Sequence, residues 1–118
     1  MPQVRCTSEA VEAIKALSPR AYAEITLGLD GVRSYGLKGE RHFAVLDHRW
    51  DVYLLEADFP DLAAILVVDP ANANVIVVAD VGAYSTASEE TKKFAAMKAA
   101  AAVLSKAPTD IHIVRGRE

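Results

Sequence analysis

"WDVYLLEADFPDLAAILVVDPANANVIVVADVG", residues 50–82, is the stretch that decides the fold. Its three apolar runs, 49–58, 62–69 and 74–82, are rich in aliphatic and β-branched residues and shorter than most helices. Between them stand DFPD (58–61) and DPANAN (69–74), built from the residues that turns prefer. Connections this short join antiparallel neighbours, because a parallel crossover needs about a dozen residues or more. A fourth run, RHFAVLD (41–47), precedes them across Asp47-His48, so 41–82 predicts a four-strand meander. The runs 62–69 and 74–82 are apolar nearly throughout, the pattern of central strands covered on both faces. In the preceding strand, alternation places Trp50 and Val52 toward core or helix, with Asp51 and Tyr53 on the other face.

Upstream, residues 3–6 predict a short first strand. TSEAVEAIKALS (7–18) follows, with Ser8 as a helix cap and Val11, Ile14 and Leu17 on one helical face. SPRAYAEITLGLDG (18–31) repeats the pattern. Ser18 is a natural N-cap, Pro19 suits the first helical position, and Tyr22, Ile25 and Leu29 share a face. Asp30-Gly31 reads as its end; two short helices packed as a hairpin are the simplest reading, with a single bent helix as the alternative. Downstream, 85–107 predicts a long helix with a Thr86–Glu89 capping box, acids in the first turn and Lys106 in the last. Its apolar stripe is Phe94, Met97, Ala101 and Leu104, while Ala95, Ala99 and Ala102 suit a helix buried on more than one side. Alanine is also simply the best helix former, so an exposed face accounts for these three equally well. TDIHIVRGRE (109–118) adds a candidate edge strand with a basic tip.

The expected architecture is α+β and a single domain over 1–118: an N-terminal helical hairpin on a four- to five-stranded, mainly antiparallel sheet, with a C-terminal helix. Val67, Val68, Ile76, Val78, Ile65, Phe94 and Met97 are the expected core. The chain has 118 residues, 52% hydrophobic and 25% charged, a composition that folds and buries a core. No run approaches the roughly 20 apolar residues that span a bilayer. The start, MPQVRCTSEA, lacks the pattern of a secretory signal, so a cytoplasmic protein without membrane partners is expected.

A net charge of −3 lacks the basic excess of a dedicated nucleic-acid binder. The single cysteine, Cys6, excludes an internal disulfide and a cysteine-based zinc cage, and reads as a small buried residue. Three histidines, His42, His48 and His112, are too scattered for metal-ligand spacing. GLDGVRSYG (28–36) has glycines without a phosphate-loop pattern, so neither metal nor cofactor is expected. The cationic residues do gather locally: Lys38, Arg41, His42, His48 and Arg49 fall within 38–49. His48 and Arg49 stand at a strand–strand turn, either as a solvated hairpin tip or as part of a functional surface. Lys92 and Lys93 read either as a solvated helix face or as contacts to an anionic substrate.

Strand, two helices, antiparallel meander, then helix is the order of the RelE/ParE/HigB toxin superfamily, which the chain resembles over about residues 8–105. SEAVEAIKALSPRAYAEITLGLDGV (8–32) resembles that family's helical hairpin, GLKGE (36–40) its connector into the sheet, and residues 50–82 its strands and tight turn. The resemblance implies a bacterial or phage-encoded toxin: a ribosome-dependent mRNA endoribonuclease in one branch, a gyrase poison in another, held inactive by a cognate antitoxin. Metal-free RNA cleavage needs a base for the 2′-hydroxyl, cations for the phosphate and an acid for the leaving oxygen. On that reading His48, Arg49 and Tyr84 are the candidate catalytic residues, and Lys38, Arg41, His42, Lys92 and Lys93 the candidate substrate contacts. Tyr84 equally suits a tyrosine packed at a strand end with its hydroxyl wet. Where many members carry an aromatic-Arg pair entering the third meander strand, this chain has Ala63 and Ala64. The expected partners are an antitoxin-like chain, ribosome and mRNA, and a second copy in a homodimer. A non-catalytic protein-binding or inhibitory module on the same scaffold is the alternative.

Overall fold

The structure, a computed structural model, describes the backbone of residues 3–37, 41–46, 50–68, 74–105 and 111–113, and the side chains of 3–37, 51–68 and 74–98. In chain order the elements are β1 (Gln3–Thr7), α1 (Ser8–Lys15), α2 (Pro19–Tyr35), β2 (Arg41–Leu46), β3 (Trp50–Glu56), β4 (Ala63–Val68), β5 (Val75–Gly82), α3 (Glu89–Ser105) and β6 (Ile111–Ile113). No helix among the described residues is long and apolar enough to cross a membrane.

The predicted meander forms as antiparallel pairs β2–β3, β3–β4 and β4–β5. The sheet has six strands, ordered β2-β3-β4-β5-β1-β6, where the sequence predicts four or five. The chain leaves β1, builds the hairpin and meander, and returns so that β5 lies parallel to β1, with Cys6 opposite Val78. That return supplies the long crossover a parallel pair requires. The edge strand foreseen in 109–118 forms as β6, antiparallel to β1.

The α1–α2 hairpin covers one face of the sheet. Val4 and Cys6 of β1, Leu66 and Val68 of β4, and Ile76 and Val78 of β5 pack there against Ala10, Ile14, Ala21, Ile25, Leu29 and Val32. On the other face, α3 lies over β4 and β5, with Ala96 packed among Val52, Leu54, Ala63, Ile65, Val67 and Ala79. Covered on both sides, β4 is buried at every residue. Val52 and Tyr53 take opposite faces, as alternation predicts.

Three helix ends differ from the sequence reading. Thr7, not Ser8, caps α1: its hydroxyl accepts from Ala10 N at 3.2 Å and donates to Ala79 O at 2.9 Å. Buried between helix and strand, it satisfies two backbone groups that Ser8, exposed one residue on, does not reach. The second helix passes Asp30-Gly31 and ends at Tyr35, with Gly36 as its cap at φ 78°. Val32 extends the buried stripe of Ile25 and Leu29, and Asp30 pairs with Arg33 one turn on, which outweighs the glycine's helix cost. The predicted Thr86–Glu89 box does not form. Ser88 takes the capping role, accepting from Thr91 N at 3.2 Å, while Thr86 donates to Asp61 at 3.4 Å.

Phe94 and Met97, expected in the core, are 65% and 54% exposed. The helix turns its small residues inward instead, because Ala95 and Ala96 allow α3 to lie close to the sheet. Lys92, one reading of which was a solvated face, is 5% exposed, whereas Lys93 is exposed. The side chains of Ala99, Ala101, Ala102 and Leu104 lie outside the described residues, as does Lys106.

Candidate functional site

A β-bulge creates the polar centre of the α3 face. Between Ile65 and Leu66 of β4, the facing strand advances from Asp80 to Val78, leaving Ala79 as the extra residue. Simple alternation would send Asp80 to the same side as Ile76 and Val78, under the hairpin. The bulge re-aims it. Asp80 and Ala79 both line a cleft on the α3 side, together with Thr7, Glu9, Tyr84, Thr91, Phe94, Ala95 and Lys98, enclosing about 260 Å³.

Tyr84 reaches this cleft through a tight turn after β5, in which its N–H donates to Gly82 O at 2.8 Å. A side chain on Gly82 would meet the Tyr84 ring at ordinary contact distance, so the phenol lies back over the end of the strand. Its hydroxyl donates to Asp80 Oδ2 at 2.6 Å. Asp80 Oδ1 accepts from Val81 N at 2.9 Å, so the carboxylate is fixed at both oxygens. Burial, then the hydrogen bond to Asp80 and its charge, hold the Tyr84 hydroxyl well above the usual tyrosine range. Across the cleft, Lys98 Nζ stands 5.8 Å from the centre of the Phe94 ring, within cation–π range. Away from the cleft, Cys6 is fully buried under the hairpin, and burial pushes its thiol up to about 12.

Of the sequence-predicted residues, the structure describes Tyr84, Lys92 and Lys93 with their side chains and the backbone of Arg41 and His42. Of the candidate catalytic set, Tyr84 lies in the cleft, while His48 and Arg49 lie outside the described residues. Their flanking residues, Leu46 and Trp50, pair with each other at the Val68–Ile76 end of the sheet, whereas Tyr84 follows Gly82 at the Ala63 end. The five steps from Ala63 to Val68 separate those ends by roughly 17 Å, at about 3.3 Å per residue. Lys38 also lies outside the described residues. Arg41 and His42 stand on the edge strand β2, where Arg41 falls in one cross-strand row with Leu54, Ile65 and Asp80.

Asp80, Thr7, Glu9, Thr91 and Lys98 are the polar cleft residues that sequence reasoning missed. A usable signal for Asp80 was present: an acid inside the apolar run VIVVADVG, four residues before a tyrosine. Among the described residues no group of three or more His, Cys, Asp or Glu is placed to hold a metal ion. The described lining of the cleft offers a fixed carboxylate, a protonated phenol, a second carboxylate, an ammonium and an aromatic ring. No protein-family model matches the chain, and no curated protein or solved structure matches it either.

Proposed function

We propose that the chain is a toxin-like protein on a RelE/ParE-like scaffold that works by binding a protein partner, with an antitoxin-like chain as its cognate. The observation that carries this reading is the Tyr84–Asp80 pair. A phenol whose proton points at a neighbouring carboxylate, and whose acidity is lowered by burial, is a poor acid for a leaving oxygen. That carboxylate also repels the phosphate an RNA-cleaving site must hold. The outward side of α3 adds contact area, because Phe94 and Met97 expose large apolar surface on a helix already seated through its alanines.

Ribosome-dependent mRNA cleavage is the second reading. It draws on the placement of Arg41 and His42 on the edge strand β2, with Lys38 before it in sequence and His48 and Arg49 after it. Expression in a bacterial host separates the two. The binding reading expects growth arrest with ribosome-associated mRNA left whole, and loss of the arrest in a Phe94→Glu/Met97→Glu variant that keeps its melting temperature. Cleaved mRNA, with cleavage abolished by His48→Ala/Arg49→Ala, replaces it with the endoribonuclease.

A further inference from the structure

Packing explains most of the α3 face but not the cleft. Its volume of about 260 Å³ falls just below the roughly 300–1,000 Å³ of small-molecule pockets, so it suits one inserted side chain. We propose that this cleft binds a guanidinium group, the side chain of an arginine presented by a partner protein. The proposal rests on the binding reading for its biological role, and names the chemistry of the partner.

Charge selects the ligand first. Among the described residues, two carboxylates, Asp80 and Glu9, and one ammonium, Lys98, line the same space. An incoming phosphate or carboxylate meets that excess of negative charge, and an apolar group strips water from Asp80 without replacing its hydrogen bonds. A cation does neither.

Geometry then favours guanidinium over ammonium. Among the described residues, each oxygen of Asp80 accepts one bond, from Val81 N and Tyr84 Oη. An ionised carboxylate has about four acceptor sites, so both oxygens retain capacity for the parallel N–H pair of an arginine fork. The two internal bonds hold the carboxylate in place before a ligand arrives, which lowers the ordering cost of binding. Phe94, 65% exposed, adds a flat ring to the lining of the same cleft, and guanidinium stacks on such faces better than ammonium does. Lys98 Nζ stands 5.8 Å from that ring centre, one helical turn on, and is the cation an arriving guanidinium must compete with. An arriving arginine displaces Lys98 or stacks on the ring's other face, and in either case meets a like charge.

The test is an NMR titration of the full chain with N-acetyl-arginine amide, with the citrulline analogue, equal in shape but uncharged, as control. Saturable shifts at Thr7, Asp80, Tyr84 and Phe94 are expected with the arginine compound and none with citrulline. Asp80→Asn, which keeps the shape of the carboxylate, weakens binding about tenfold through loss of the charge-assisted pair. The exposed Glu9→Gln weakens it less, and carries the test if Asp80→Asn perturbs folding. Lys98→Met tightens binding, because it removes the competing cation, an outcome that a general acidic surface would share but a neutral pocket would not. Equal shifts with citrulline, shifts confined to residues away from the cleft, or unchanged affinity in both acid variants overturn the proposal. The titration is independent of mRNA cleavage, so failure here leaves the binding reading standing, and cleaved mRNA leaves the titration result standing.

Discussion

The two faces of the sheet are covered by helices, yet they are built on different terms. Beneath the α1–α2 hairpin, branched and long aliphatics meet: Ile25, Leu29, Leu66 and Ile76 are each at most 2% exposed. Beneath α3 the helix contributes Ala95 and Ala96, and beside them the buried lysine Lys92 and the Asp80–Tyr84 pair. Large side chains fill volume and fix one arrangement of the hairpin. Small ones bring the α3 backbone close while leaving a polar cleft at the helix edge. One face is filled mainly by large aliphatics, and the other keeps a cleft beside its small-residue contact.

This contrast predicts opposite responses to size. Leu66→Ala, cut from the hairpin face where the side chain is wholly buried, should destabilise the protein by about 2–5 kcal/mol in denaturant unfolding. Ala96→Leu, on the α3 face, should cost about 1–3 kcal/mol by overpacking against the sheet. The second change should also raise amide exchange within α3 and leave that of α1 and α2 unchanged. A global loss of protection in Ala96→Leu would break the comparison, because it would make α3 part of the same cooperative core.

Proton uptake sharpens the comparison further. Tyr84 titrates above its ordinary value of about 10 because burial and Asp80 favour its neutral form. Between the unfolded and folded values the native chain therefore holds more protons than the unfolded chain. Stability from this group is complete below about pH 10 and is lost as pH rises toward the folded value. Cys6, pushed up to about 12, acts with the same sign but starts lower, near pH 9. Hence the readout needs subtraction: in a Cys6→Ala background, Tyr84→Phe should flatten the fall in stability above pH 10. At neutral pH the same substitution should cost about 0.5–1.5 kcal/mol for the lost hydrogen bond. An unchanged alkaline slope would show that the phenol is neither buried nor held by Asp80 in solution.

The hairpin face was the more legible of the two in sequence. Ser18-Pro19 marked the start of α2, and the spacing of Ile25 and Leu29 gave its buried side. The runs 62–69 and 74–82 announced central strands through their unbroken apolarity. The parallel pairing of β1 with β5 was not legible, since the partners Cys6 and Val78 are far apart in sequence and no turn links them. The orientation of α3 was misread for a different reason. In a helix so rich in alanine, Phe94 and Met97 are the obvious apolar stripe, but burial follows close approach to the sheet and selects Ala95 and Ala96. Tyr84 was legible as a candidate, whereas Asp80 was hidden by the bulge, because period-two reading has no means of seeing an extra residue in one strand.

The smallest expected effect concerns how α3 is held at its first turn. Ser88 caps the helix from an exposed position, accepting from Thr91 N at 3.2 Å and sharing a 2.9 Å hydrogen bond with the Thr91 hydroxyl. Ser88→Ala leaves that N–H to water, and Glu89 and Glu90 still favour the positive end of the helix. The loss should therefore be about 0.5–1 kcal/mol, the low end for a cap. Thr91, Phe94 and Ala95 follow within the next two turns and line the cleft, so fraying there loosens one wall of it. Hydrogen exchange should quicken over residues 89–95 and stay unchanged over α1 and α2. Faster exchange in the hairpin as well would mean that the two faces open together, and the division between them would fail at its weakest point.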